Sequence, residues 1–90
     1  MPTVRIPTQL RTLTAGAGTT TVEGSTVAEV LKALDAAHPG FAERLYDESG
    51  NLRRFVNVFV ADEDIRFLDG LATPVAPDAT VSIVPAVAGG

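Results

Sequence analysis

The chain has no cysteine and no tryptophan, a single histidine, and only one tyrosine and four phenylalanines in 90 residues. Without cysteine there are no disulfides, no thiolate nucleophile and none of the common zinc sites. Basic residues are scarce as well. Seven Lys and Arg stand against 11 Asp and Glu, a net charge of −4, and Arg53-Arg54 is the only adjacent basic pair. Nucleic-acid backbones are bound by clustered cations that release counterions, so this distribution argues against DNA or RNA as a partner. No apolar run reaches the length of a membrane span, which takes about 18 residues or more. The opening Met1-Pro2-Thr3-Val4-Arg5 lacks the apolar core of an export signal, so the cytoplasm is the expected location.

What is present is an ordinary globular composition, 46% apolar and 20% charged. Area scaling lets a chain of this size bury roughly 63% of its extended surface, enough for one modest core. Val4 and Ile6 alternate with Thr3 and Arg5 in the pattern of a half-buried strand, which Pro7 borders or ends. Thr14-Ala15-Gly16-Ala17-Gly18 reads as a turn and β-branched Thr19 to Val22 as a second strand, together a hairpin with a long loop.

A helix is predicted after Gly24-Ser25-Thr26, because Val27, Val30, Leu31, Leu34 and Ala37 recur at helical spacing. Thr26 and Glu29 form a capping box, the hydroxyl satisfying a first-turn N–H and the carboxylate returning to the cap. Pro39-Gly40 stops the helix, and Phe41 to Leu45 adds a short helical turn. Phe55 to Val60 is the strongest strand, with its valines expected inward and Phe55, Asn57 and Phe59 outward. Asp62-Glu63-Asp64 is expected as a solvated turn, Ile65-Arg66-Phe67 as a short edge strand, and Val81 to Val84 as the last strand, closed by Pro85. The order β-β-α-β-(β)-β is that of an α+β domain, a mixed sheet of four to five strands on one main helix. The last strand buries its Val81/Ile83 face most economically beside the first, in mid-sheet.

Known catalytic patterns fail. Gly16-Ala17-Gly18 is followed by neither a lysine nor a helix, so it is a turn and not a phosphate loop. His38, at a helix end, fits a charge–dipole role better than catalysis. Ser25, Ser49 and Ser82 lack a neighbouring base, and Asp62-Glu63-Asp64 lacks calcium-loop spacing, so no metal site is expected.

The remaining chemical group is the end of the chain. A domain of residues 1–85 is followed by Ala86-Val87-Ala88-Gly89-Gly90, uncharged and mostly small. Five extended residues reach about 16–18 Å, enough to thread a carboxylate into another protein's active site. Glycines at the tip pass a narrow channel and let a nucleotide or nucleophile approach closely. A carboxylate anion is a poor electrophile, so acyl chemistry on Gly90 requires activation, most simply as a mixed anhydride with AMP.

Arg54-Phe55-Val56-Asn57-Val58-Phe59-Val60, Asp62-Glu63-Asp64-Ile65-Arg66-Phe67, Gly70-Leu71-Ala72-Thr73 and the closing Val81-Ser82-Ile83-Val84-Pro85-Ala86-Val87-Ala88-Gly89-Gly90 resemble ubiquitin-like β-grasp sulfur carriers of the MoaD/ThiS superfamily, in particular its actinobacterial CysO group. The resemblance implies that a MoeB/ThiF-type enzyme adenylates Gly90 with ATP and that the product becomes a thiocarboxylate. Gly89 and Ala86 to Ala88 would then form the arm inserted into partners. It implies a carrier that is no enzyme and binds no cofactor of its own. In the CysO group the acceptor is a PLP-dependent cysteine synthase, and a zinc metalloprotease releases the cysteine; other branches supply molybdopterin, thiazole or secondary metabolites. Docking is expected on the sheet face away from the helix, through Phe59 and Val84, extended by Phe55. Two rival readings remain: a modifier joined through Gly90 to protein lysines, and a small enzyme or subunit whose tail is inert.

Overall fold

A computed structural model describes residues 1–54 and 56–85; Phe55 and the expected tail Ala86 to Gly90 lie outside the described residues. Five strands form one mixed sheet: β1 (Thr3–Arg5), β2 (Thr19–Thr21), β3 (Val56–Val60), β4 (Glu63–Asp64) and β5 (Thr80–Pro85). Their spatial order is β2-β1-β5-β3-β4, with β1 and β5 parallel and the other neighbours antiparallel. The last strand therefore lies in mid-sheet beside the first, as its apolar Val81/Ile83 face requires.

The main helix α1 (Val27–Ala37) crosses one face of this sheet, and α2 (Phe41–Leu45) follows it. Helical spacing puts Val27, Val30, Leu31 and Leu34 on the buried side, where they meet Val4, Val58, Val81 and Ile83 in a single core. The valines of β3 point inward as expected: Val58 and Val60 are buried, and Val56 packs partly against the core.

Capping explains where the helices begin. The Thr26 hydroxyl accepts the Glu29 N–H at 3.2 Å. The returning Glu29 carboxylate lands one residue earlier than a capping box requires, accepting from the Ser25 N–H and Oγ, both at 3.2 Å. At the other end Gly40 holds φ at 116°, and a Cβ there would sit 2.8 Å from Leu13 Cδ2, so that position needs glycine. Asp35 then starts α2, its Oδ1 accepting from Gly40 N at 3.2 Å and Ala42 N at 2.9 Å.

Three expectations are corrected. The long hairpin loop contains a 3-10 helix, Thr8–Thr14, because Leu10 and Leu13 recur at that helix's period of three and turn toward the core. The turn after β3 is Ala61-Asp62, with φ of 50° and 71°, so Glu63 and Asp64 pair with Val60 and Phe59 as β4. This is the left-handed conformation of a two-residue hairpin, which usually announces itself with glycine or asparagine. Ile65-Arg66-Phe67 is a 3-10 turn, not an edge strand: Asp64 Oδ1 accepts the Arg66 N–H at 2.8 Å and bends the chain away from the sheet.

Candidate functional site

Cross-strand partners lie on the same face of a sheet. The face away from α1 therefore carries a row running Thr19, Arg5, Ser82, Phe59 and Asp64 from β2 to β4, with Asn57 opposite Val84 further along. The two docking positions expected among the described residues, Phe59 and Val84, lie on this face, as does Asn57. Phe59 is half-buried, and Val84 is 44% exposed beside Pro85, where β5 ends.

Both line one open groove of about 740 Å³, together with Ser82, Pro85 and two arginines, Arg5 and Arg11. Arg11 is anchored by its Nε, which donates to the Ile6 carbonyl at 3.1 Å. Its guanidinium lies over Gly18, where an added Cβ would sit 3.2 Å from Nη2. The groove thus sets Phe59, Val84 and Pro85 beside two arginines, with the exposed Asp62 also in its lining. The arginines were missed in the sequence because only the register of β1 against β5 sets Arg5 beside Ser82, and Arg11 is brought in by the unforeseen 3-10 helix Thr8–Thr14.

The acidic triplet divides by position. Asp62 and Glu63 are exposed, whereas the Asp64 side chain is 8% exposed and holds Arg66 in an ion pair at 2.8 Å. Hydrogen bonds from the Arg66 side chain and backbone hold the Asp64 carboxyl below the usual carboxylate range, and the same partnership raises Arg66. Asp64 is a structural group and not part of a solvated turn. Among the described residues no three His, Cys, Asp or Glu side chains are grouped to hold a metal, and no helix there is long and apolar enough to cross a membrane. His38 caps the C-terminus of α1, its ring Nε2 3.5 Å from the Thr20 hydroxyl.

The expected chemical positions, Gly90 with Ala86, Val87, Ala88 and Gly89, lie outside the described residues, as does Phe55. The described residues set where that segment starts: Pro85 pairs with Val56 at one end of the central strand.

A helix laid over a mixed sheet with a parallel central pair, and the chain leaving from the middle strand, is the ubiquitin-like β-grasp architecture. The ThiS family profile matches residues 4–90, and the chain belongs to that family. It is 50% identical over 90 residues to the sulfur carrier protein CysO of Mycobacterium tuberculosis, covering 98% of this chain and 97% of the relative. It is 40% identical over 68 residues to small archaeal modifier protein 3 of Haloferax volcanii, covering 76% and 73%. Among solved structures, the Amycolatopsis orientalis CysO determined in complex with BexX superposes with a TM-score of 0.93, at 46% identity and full coverage of both chains. The CysO structure from Mycobacterium tuberculosis gives 0.92 at 47% identity, over 97% of this chain and all of that one. These CysO relatives are named carriers, and the chain is a protein of that kind and not an enzyme.

Proposed function

We propose that the protein carries sulfur on Gly90: the carboxylate is adenylated with ATP by a MoeB/ThiF-type enzyme and then converted to a thiocarboxylate. The observation that carries this reading is the family match, which runs through residue 90 and so includes the Gly-Gly end. In the first step the carboxylate oxygen attacks the α-phosphate and pyrophosphate leaves. In the second, a sulfur nucleophile attacks the acyl carbon and AMP leaves, so the anion that was a poor electrophile becomes a good sulfur donor. The folded body supplies no catalytic group and holds no cofactor; it presents Gly90 on the arm Ala86 to Gly89. The groove around Phe59 and Val84 is the docking surface for the activating and acceptor enzymes, and its arginines favour an acidic rim on the partner. The reaction takes place in the cytoplasm, where ATP is supplied.

Likeness to CysO favours cysteine biosynthesis as the destination, with a PLP-dependent cysteine synthase as acceptor and a zinc metalloprotease acting afterwards. The second reading, conjugation to lysines, is favoured by the identity to the archaeal modifier. Mass spectrometry of protein isolated from its native cells separates the two. The carrier predicts replacement of one terminal oxygen by sulfur, and lysine-linked Gly89-Gly90 remnants without that replacement would overturn it.

A further inference from the structure

β4 pairs only with Phe59 and Val60, and beyond Asp64 the chain bends into the 3-10 turn Ile65–Phe67. Beside Val56 to Val58, where a longer β4 would have run, a cleft of about 480 Å³ opens. Leu52, Val58, Ile65 and Leu71 give it an apolar floor, and Arg53, Arg54 and Arg66 border it. Three of the seven cationic side chains thus meet at one cleft, against a single acid, Asp64, which is already paired with Arg66 at 2.8 Å. Arg53 donates to the Glu43 carbonyl at 3.1 and 3.3 Å, a neutral acceptor that fixes the guanidinium and leaves its charge uncompensated. Arg54 is exposed and enters no ion pair among the described residues. The cleft therefore carries surplus positive charge in a protein whose net charge is −4.

We propose that this cleft is a second docking site, which takes an extended segment of a partner protein in which acidic and aliphatic residues alternate. Charge complementarity selects that occupant: acidic side chains are repelled by the net-negative protein as a whole and attracted to these arginines. Successive side chains of an extended segment point to opposite sides. The aliphatic ones can therefore enter over Ile65 and Leu71 while the carboxylates between them stay at the mouth, within reach of Arg53 and Arg54. A second copy of this chain docked cleft to cleft would set arginine against arginine, and a flat anionic surface does not reach a recessed floor. The cleft shares no lining residue with the groove around Phe59 and Val84. Its Val58 and Ile65 belong to the core beneath α1, whereas that groove lies on the opposite face of the sheet. A partner held at this edge thus leaves the groove free for another.

Methyl-labelled full-length protein titrated with the peptide acetyl-Glu-Val-Glu-Leu-Glu-amide to millimolar concentration tests this by nuclear magnetic resonance. Saturating shifts are expected at the Leu52, Ile65 and Leu71 methyl groups, with Val84 unmoved. Affinity should fall about threefold in Arg54→Gln, the factor corresponding to one exposed ion pair, and the counterpart with lysine in place of glutamate should produce no shifts. Absence of shifts with the acidic peptide, equal shifts with the lysine peptide, or an affinity unchanged in Arg54→Gln overturns the proposal. Shifts centred on Val84 do the same, since they would place the peptide in the other groove. So do shifts at Ile65 and Leu71 that appear on concentrating the protein alone, which would make a second copy the occupant, or that anionic lipid vesicles reproduce. No activating enzyme enters this experiment, so failure of sulfur loading and failure of docking are separate results.

Discussion

Ile83 and Val84 are neighbours on one strand with opposite duties. Ile83 points at α1 and is 3% exposed, whereas Val84 faces away and is 44% exposed. The contrast extends across the sheet: Val4, Val58 and Val81 are closed off on the helix side, while Arg5, Phe59 and Ser82 stand in a half-open groove on the other. One face holds the fold together, and the other is the face on which we propose that partners dock. The proposed carrier role would use this division, because the body would have to remain folded while it visits one enzyme after another.

Substitutions on the two faces should separate stability from recognition. Ile83→Ala is expected to cost about 2–5 kcal/mol, read by urea denaturation, since it leaves a cavity under α1. Val84→Ala should change stability by less than about 0.5 kcal/mol; a cost equal to that of Ile83→Ala would erase the distinction between the faces. Phe59→Ala, at the centre of the groove, should weaken binding to the activating enzyme about tenfold by calorimetry, in the range of an interface anchor. Unfolding in its place would show that the ring belongs to the core. Thr26→Ala removes the cap bond at 3.2 Å and should cost about 1 kcal/mol, with no effect on sulfur transfer beyond that.

The smallest effect is a pH dependence at the outer edge. Arg66 lowers the folded-state Asp64 value, so this carboxylate's contribution is complete above the ordinary aspartate range and is lost as pH falls through the lowered one. Thermal melts should therefore show a shallower loss of stability on acidification in Asp64→Asn than in the parent protein. Equal slopes would mean that the ion pair contributes nothing to folding.

Much of this organisation was legible in the residues because it depends on period. The spacing of Val27, Val30, Leu31 and Leu34 marked α1 and its buried side, and the alternating valines of β3 marked the inner face. Mid-sheet placement of β5 followed from the need to bury Val81 and Ile83. The corrections cluster where local geometry breaks the usual composition rules. Ala61 and Asp62 adopt left-handed backbone without glycine, which hid the tight hairpin and shifted the edge strand. The Asp64 bond to the Arg66 N–H turned an apparent strand into a 3-10 turn. The place of Arg5 in the groove depends on which strands pair, and pairing between distant segments leaves no trace in a local window. Gly90 was singled out by elimination and by resemblance, since chemistry on a terminal carboxylate requires no motif of side chains around it.

The most direct measurement places purified protein with ATP, a MoeB/ThiF-type enzyme and a sulfide source, and records intact mass beside a variant carrying one extra residue after Gly90. The account predicts that sulfur replaces one oxygen at the end of the parent chain and that the extended variant stays unchanged. A parent chain that emerges unaltered, or an extended variant that gains sulfur equally well, would contradict it.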